Sequence, residues 1–115
     1  MLPASPPAQT FLNTADLGWS ILVRSVGDFP PAGSYFAHMK SDLTSDDIDK
    51  VFSEARGNLS RGAPDAEHSQ IPLRFSAPAS ELSGFAGAYT VDLYYRRGVE
   101  TFPVMRVAFN FEAGA

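Results

Sequence analysis

Alternation of apolar and polar residues with a period of two dominates the C-terminal part of the chain. In "GAYTVDLYY" one face would carry Tyr89, Val91, Leu93 and Tyr95. A β-strand places successive side chains on opposite faces, whereas a helix repeats its apolar positions about every 3.6 residues. The pattern therefore predicts a strand with Asp92 on its outer face.

The same alternation recurs in three other segments, "SILVR", "IPLRFSA" and "TFPVMRVAFNFE". Their predicted inward residues, together with Trp19 just before the first segment, are Ile21, Val23, Ile71, Leu73, Phe75, Met105, Val107, Phe109 and Phe111. Pro72 cannot donate a backbone hydrogen bond, which favours an edge strand or a strand start there. "RRGVE" around Gly98 predicts a hairpin turn between the last two strands.

The middle of the chain carries a different pattern. In "LTSDDIDKVFSEARG" the apolar residues Ile48, Val51 and Phe52 have helical spacing, and acidic residues would fall in the first helical turn. This predicts one short helix near residues 45–53, and the alternative is a strand over residues 50–56. "GDFPPAG", 27–33, is expected to connect strands, and "GNLSRGAPDAEHSQ", 57–70, to be an exposed loop.

These patterns predict an all-β fold of about seven short strands, a sandwich or a small barrel. With 115 residues the chain suits one domain, which we place at residues 10–115. Residues 1–9 hold three prolines and are expected to form an extended arm, either free or lying on a neighbouring subunit.

Composition excludes several function classes. A net charge of −4 with only nine Lys and Arg disfavours nucleic acid as a partner. The absence of cysteine removes disulfides, thiolate metal sites and cysteine nucleophiles. No apolar run is long enough to predict a membrane span, and "MLPASPPAQ" lacks the features of a signal peptide. We therefore expect a protein made and kept in a cytoplasm, or assembled there into something larger.

Few residues are candidates for chemistry. His38 falls in a segment that reads as a strand, and His68 falls in a polar loop. Neither has other ligands or catalytic partners at the spacing typical of a metal site or a catalytic triad. Asp92 has no second carboxylate nearby in sequence, and Arg96 and Arg97 flank a turn. The other candidates are an acidic cluster, which comprises Asp42, Asp46, Asp47 and Asp49, and a glycosylation sequon, Asn58-Leu59-Ser60.

The acidic cluster lacks the mid-loop glycine of a calcium-binding EF-hand loop, so it is expected to be solvated. We accordingly predict no enzyme activity, no catalytic residue, no metal and no cofactor.

Tyr94 and Phe102 fall on the face opposite Tyr89 and Phe109. Across the hairpin they would form an exposed aromatic pair, unless that face is covered, and exposed aromatic patches are typical of partner surfaces.

Residues 71–114 resemble an immunoglobulin-like domain of tailed-phage virion proteins. The similar pattern is a strand I-x-L-x-F-S, a helical turn ending in leucine, the motif G-x-Y-x-x-D-L, a turn and a last strand. Its matching positions are Ile71, Leu73, Phe75, Leu82, Gly87, Tyr89, Asp92, Leu93, Gly98 and the strand to Phe111. Such domains begin upper baseplate proteins and occur in head-fibre and capsid-decorating proteins.

The resemblance implies an immunoglobulin-like antiparallel β-sandwich with an assembly role. The expected function is a virion structural protein, a capsid decoration (cement) protein that binds the assembled shell. The alternatives are a baseplate, tail or neck component, or a non-viral module that binds protein or carbohydrate. The implied partners are the major capsid protein or other virion proteins, together with self-association, and the implied location is the virion.

Overall fold

The computed structural model describes residues 7–24, 33–63 and 70–113, apart from the side chain of Arg24. That part of the chain contains eight β-strands and one short 3-10 helix. The strands are β1 Gln9–Leu12, β2 Leu17–Arg24, β3 Ser34–Lys40, β4 Lys50–Ser53, β5 Leu59–Arg61, β6 Gln70–Ala77, β7 Gly87–Arg97 and β8 Glu100–Glu112, and the 3-10 helix is Ala79–Glu81. The predicted all-β class is confirmed.

The strands form two sheets that face each other as a sandwich. One has five strands in the order β1-β8-β7-β3-β4, and the other has three in the order β2-β6-β5. All pairings are antiparallel except that of β1 with β8, which is parallel. The chain changes sheet after β1, β2, β4 and β6, a connectivity of the immunoglobulin-like kind. The predicted fold is therefore confirmed.

Aromatic rings fill the space between the sheets. Phe75 lies 5.2 Å from Phe52, 5.5 Å from Trp19 and 6.1 Å from Phe109, measured between ring centroids. Phe75 and Phe109 are 1% and 0% exposed. The residues predicted to face inward are all buried or packed against the core. The period-two pattern therefore identified the core.

The β7–β8 hairpin departs from simple pairing at one point. Gly98 begins its two-residue loop with φ 62°, a conformation that glycine adopts without strain. Leu93 faces Met105 but Tyr94 faces Pro103, so Val104 is a bulge. Between the bulge and the two-residue loop, Phe102 faces Tyr95 and not Tyr94. The predicted pair of Tyr94 with Phe102 is therefore wrong.

The short helix predicted near residues 45–53 is also wrong. Residues 42–49 form turns and bends, and the chain then enters β4, so the alternative strand reading holds for Lys50–Ser53. The carboxylate of Asp42 accepts hydrogen bonds from the Thr44 backbone and hydroxyl, and that of Asp49 from the Ser41 N–H. Such local bonds compete with helix formation. Pairing with β3 buries Phe52 completely.

The predicted loop over residues 57–70 contains a strand, β5, whose Leu59 is only 1% exposed. The expected connection at 27–33 lies outside the described residues except for Gly33, and 64–69 also lie outside them. Of the expected arm, residues 1–6 lie outside the description, and Gln9 already belongs to β1.

Pro72 does not lie on an edge strand, because β6 runs between β2 and β5. Its carbonyl accepts a hydrogen bond of 2.9 Å from the N–H of Gly62, just beyond the end of β5. The N–H and C=O of one strand residue point to the same side of the strand. The missing N–H of Pro72 therefore falls where the β5 ladder ends, which makes a proline tolerable in a central strand.

Replacing Phe75 by alanine should lower the free energy of unfolding by about 3–5 kcal/mol, because the ring contacts both sheets and its loss leaves a cavity. Chemical denaturation would measure the change. Val99→Ala is the control, since Val99 is 96% exposed, and should change stability by about 0.5 kcal/mol or less. Equal effects of the two substitutions would contradict the described core.

Candidate functional site: the outer face of the five-stranded sheet

The outer face of the five-stranded sheet carries aromatic and charged side chains from three adjacent strands. Its central cluster comprises Phe36 and His38 of β3, Asp92 and Tyr94 of β7, and Arg106 of β8. Each of these side chains points to the outer face, because its neighbours along the strand are buried or packed against the core and side chains alternate between faces. The register places Phe36 opposite Tyr94, and Asp92 between His38 and Arg106. We call these five residues the outer-face cluster.

Three rings form the aromatic half of the outer-face cluster. Phe36 and Tyr94 are stacked, with centroids 5.2 Å apart and an interplanar angle of 22°. His38 lies 5.3 Å from Phe36 and 5.6 Å from Tyr94. All three side chains are half-buried although nothing in the described part of the chain covers this face. The result is a contiguous aromatic surface on the outer face.

An ion pair forms the charged half. Arg106 donates from Nε and Nη2 to the two carboxylate oxygens of Asp92, over 2.6 and 3.2 Å. Asp92 is one of the few candidates for chemistry in the sequence, but in the folded protein its carboxylate is bound by a guanidinium. Arg106 is 58% exposed, so the pair adds only about 0.2–1 kcal/mol to stability. Its clearer effect is to hold Arg106 in a fixed orientation.

The environment of this face shifts the pKa of two of its groups. Burial lowers the pKa of His38, the charge of Lys40 lowers it further, and Asp92 opposes the shift. Burial raises the pKa of Tyr94, and Asp92 raises it further. His38 is therefore neutral near neutral pH, and Tyr94 retains its phenolic proton.

Protonation of His38 should destabilise the fold, because the pKa of this side chain is lower in the folded protein than its ordinary value of 6.5. Its stabilising contribution is present above pH 6.5 and is lost as the pH falls through the folded-state pKa. The free energy of unfolding of the wild type, measured relative to His38→Gln, should therefore decrease on acidification. A difference that rises on acidification would contradict this environment.

The other candidate residues do not converge. Asp42 and Asp49 bind backbone groups of their own loop, and the hydrogen bonds from Thr44 lower the pKa of Asp42. Within residues 7–24, 33–63 and 70–113, no three His, Asp or Glu side chains are grouped so that they could hold a metal ion. Arg96 and Arg97 are exposed beside the hairpin turn, and His68 lies outside the described residues.

Asn58, the sequon residue, has a structural role in the described fold. Its side-chain oxygen accepts from the N–H of Ser53 over 2.8 Å, and its amide nitrogen donates to the Val51 carbonyl over 3.0 Å. Its carboxamide therefore ties the start of β5 to β4.

Sequence reasoning missed an ion pair between the sheets. Arg61 of β5 donates from Nε to Glu54 over 2.7 Å and from Nη2 to the carbonyl of Gly33 over 2.9 Å. Glu54, directly after β4, also accepts a bond of 2.6 Å from the N–H of Tyr35. Burial raises the pKa of Tyr35, and the neighbouring Tyr95 raises it further. The only sequence signal was a pair of opposite charges flanking Gly57, in a segment predicted to be a loop.

Arg61→Met should reduce the free energy of unfolding by about 1–3 kcal/mol, because it keeps the apolar stem but leaves half-buried acceptors on Glu54 and Gly33 unpaired. Arg56→Met is a matched control, since Arg56 is exposed, and should change stability by about 0.5 kcal/mol or less. Thermal and urea unfolding would measure both. An Arg61→Met variant with an unchanged free energy of unfolding would show that the ion pair does not hold the sheets together.

Two open grooves of about 460 and 530 Å³ lie side by side and share Arg56, Asn58 and Glu81. Lys50 lines the second groove and forms an ion pair of 2.7 Å with Glu81. The described lining residues include neither a histidine nor a nucleophile with an adjacent base. Within the described part, no helix is long and apolar enough to cross a membrane.

Comparison with known proteins adds little to this geometry. No family model matches the chain, and no curated protein matches it. A solved structure, AggA, the major subunit of aggregative adherence fimbriae type I from Escherichia coli, is similar with a TM-score of 0.49 and 11% identity. The alignment covers 95% of this chain and 92% of that chain. A similarity this weak carries no argument about function, so the outer-face cluster must be interpreted from its own chemistry.

Proposed function

We propose that the protein is a virion structural protein that decorates a capsid, attaching to the assembled shell through the outer face of its five-stranded sheet. The observation that carries the proposal is the outer-face cluster. It combines a stacked Phe36–Tyr94 pair with the oriented guanidinium of Arg106 on a face that the described chain leaves open. The resemblance of residues 71–114 to tailed-phage domains supplies the class of partner.

The chemistry of the cluster suits a protein surface better than a reaction. Tyrosine, phenylalanine and arginine are enriched where proteins meet, and they contribute most when neighbouring contacts exclude water. The side chains are already held by stacking and by the Asp92 ion pair, so little conformational entropy is lost on docking. A neutral His38 avoids the cost of burying a further charge there.

Such a protein would stabilise a shell by mass action. A ligand that binds the assembled lattice and not the free subunits adds its binding free energy to the stability of the assembly. Catalysis is not needed for this role, and the dispersed candidate residues are compatible with a non-enzymatic function. The net charge of −4 favours a partner surface that is neutral or basic.

Binding to capsids assembled without the protein would test the proposal. We expect saturation at a copy number set by the shell's symmetry, and a rise in the temperature at which the shell disassembles. Tyr94→Ser should weaken binding about tenfold or more, as expected for a central interface aromatic. Phe102→Ser is the matched control, because Phe102 is an exposed aromatic at the hairpin end that faces Tyr95.

Failure of the wild type to bind such capsids would overturn the capsid-decoration role. Binding that both substitutions leave unchanged would place the contact away from the outer-face cluster. Binding to isolated tails or baseplates instead would favour the other virion role that the resemblance implies.

A second candidate function is a carbohydrate- or protein-binding module outside a virion. The specific observation in its favour is that aromatic rings lie directly beside the polar groups of Asp92 and Arg106, a combination that suits a sugar ring. Glycan-array binding that Tyr94→Ser abolishes, together with no affinity for capsids, would establish this alternative.

A further inference from the structure

The outer edge of β2 is the longest free strand edge in the described part of the chain. β2 has eight residues, whereas the other strands at sheet edges, β1, β4 and β5, have four, four and three. Among the described residues only β6 pairs with β2. An uncovered edge presents backbone donors and acceptors that another strand can pair with.

Pro72 determines which backbone groups of β2 point outward. It faces Leu22 across the β2–β6 ladder, and its carbonyl points the other way, to the N–H of Gly62 beyond β5, so this position is a pair without hydrogen bonds. Hydrogen-bonded and non-bonded pairs alternate along an antiparallel ladder. The N–H and C=O groups of Gly18, Ser20 and Leu22 therefore point away from β6, toward the free edge.

The side chains of these three residues give the edge a particular shape. Leu22 is 58% exposed and Ser20 is exposed. Gly18 has no side chain, and a Cβ there would lie 2.5 Å from Nη2 of Arg74. The Arg74 guanidinium, which also donates to the Ser20 hydroxyl over 3.3 Å, thus occupies the space beside Gly18. The edge has an apolar projection at one end and a flat guanidinium surface at the other.

We propose that a second copy of this chain pairs with β2 along this edge, antiparallel and related by a two-fold axis at Ser20. Ser20 would then face Ser20 of the other copy, and Leu22 would face Gly18. Each facing pair would exchange two hydrogen bonds, because all these residues direct their backbone groups outward. The two three-stranded sheets become one continuous sheet across the dimer.

A second copy fits this edge better than an unrelated strand does. In a two-fold arrangement the exposed Leu22 lies over the residue without a side chain, and its methyl groups contact the guanidinium of Arg74. The reciprocal contact forms at the other end, so one complementary pair is used twice. The inference does not rest on a virion role, since the dimer would form in the isolated protein.

Opposite charges at position 22 provide the test. Leu22→Lys would place a cation against Arg74 of the other copy and should raise the dimer dissociation constant roughly tenfold or more, whereas Leu22→Glu would face the same guanidinium and should preserve or strengthen the dimer. Leu43→Lys is the matched control, because Leu43 is 50% exposed and lies outside the strands. Sedimentation velocity over a concentration series would measure all four proteins.

Ser20→Pro is a further test variant, because it removes an outward N–H and the hydroxyl bound by Arg74 while leaving the backbone hydrogen bonds between β2 and β6 in place. It should also weaken the dimer roughly tenfold or more. If the wild type stays monomeric throughout the concentration series, the inference is overturned. This holds also where the protein's own N-terminal residues cover the edge. Equal weakening by Leu22→Lys and Leu22→Glu also overturns it, because the contact with Arg74 would then be absent.

Discussion

The fold depends on the aromatic contacts of Phe75, which lies in the middle strand of the smaller sheet and packs against rings of both sheets. Trp19 is its neighbour in the same sheet, whereas Phe52 and Phe109 reach it from the facing sheet. The chain has no disulfide, so the attraction between the sheets comes from burial and side-chain contacts. Because the apolar residues are turned inward, the polar and aromatic residues between them along each strand form the outer faces.

Because side chains alternate along a strand, burial of the core residues also decides which residues lie on the outer face. On β7, Val91 and Leu93 are buried, and this fixes Asp92 and Tyr94 on the open face. On β3, Ala37 and Met39 do the same for Phe36 and His38. A register slip of one residue would exchange the core with the outer-face cluster. The register that buries the core thus also sets the geometry of the outer-face cluster.

Long alternating segments could be interpreted from sequence, and short elements could not. The inward residues of β2, β6, β7 and β8 followed from periodicity because each segment spans several repeats. β4 and β5 have only four and three residues, and partners distant in sequence stabilise them. The bulge at Val104 and the central position of Pro72 depend on which strands become neighbours. For the same reason the sequence predicted that Tyr94 lies on the outer face, but not that it stacks on Phe36.

The parallel pairing of β1 with β8 has a mechanical consequence. Gln9 lies beside Phe109 and Leu12 beside Glu112, so the two strands run side by side in the same direction. Tension that pulls the chain apart from beyond the two ends of the domain would slide β1 along β8 and load their hydrogen bonds simultaneously. An antiparallel hairpin pulled from its open end loses its bonds one after another. Tension applied to the two ends of the domain therefore meets the combined resistance of the β1–β8 hydrogen bonds.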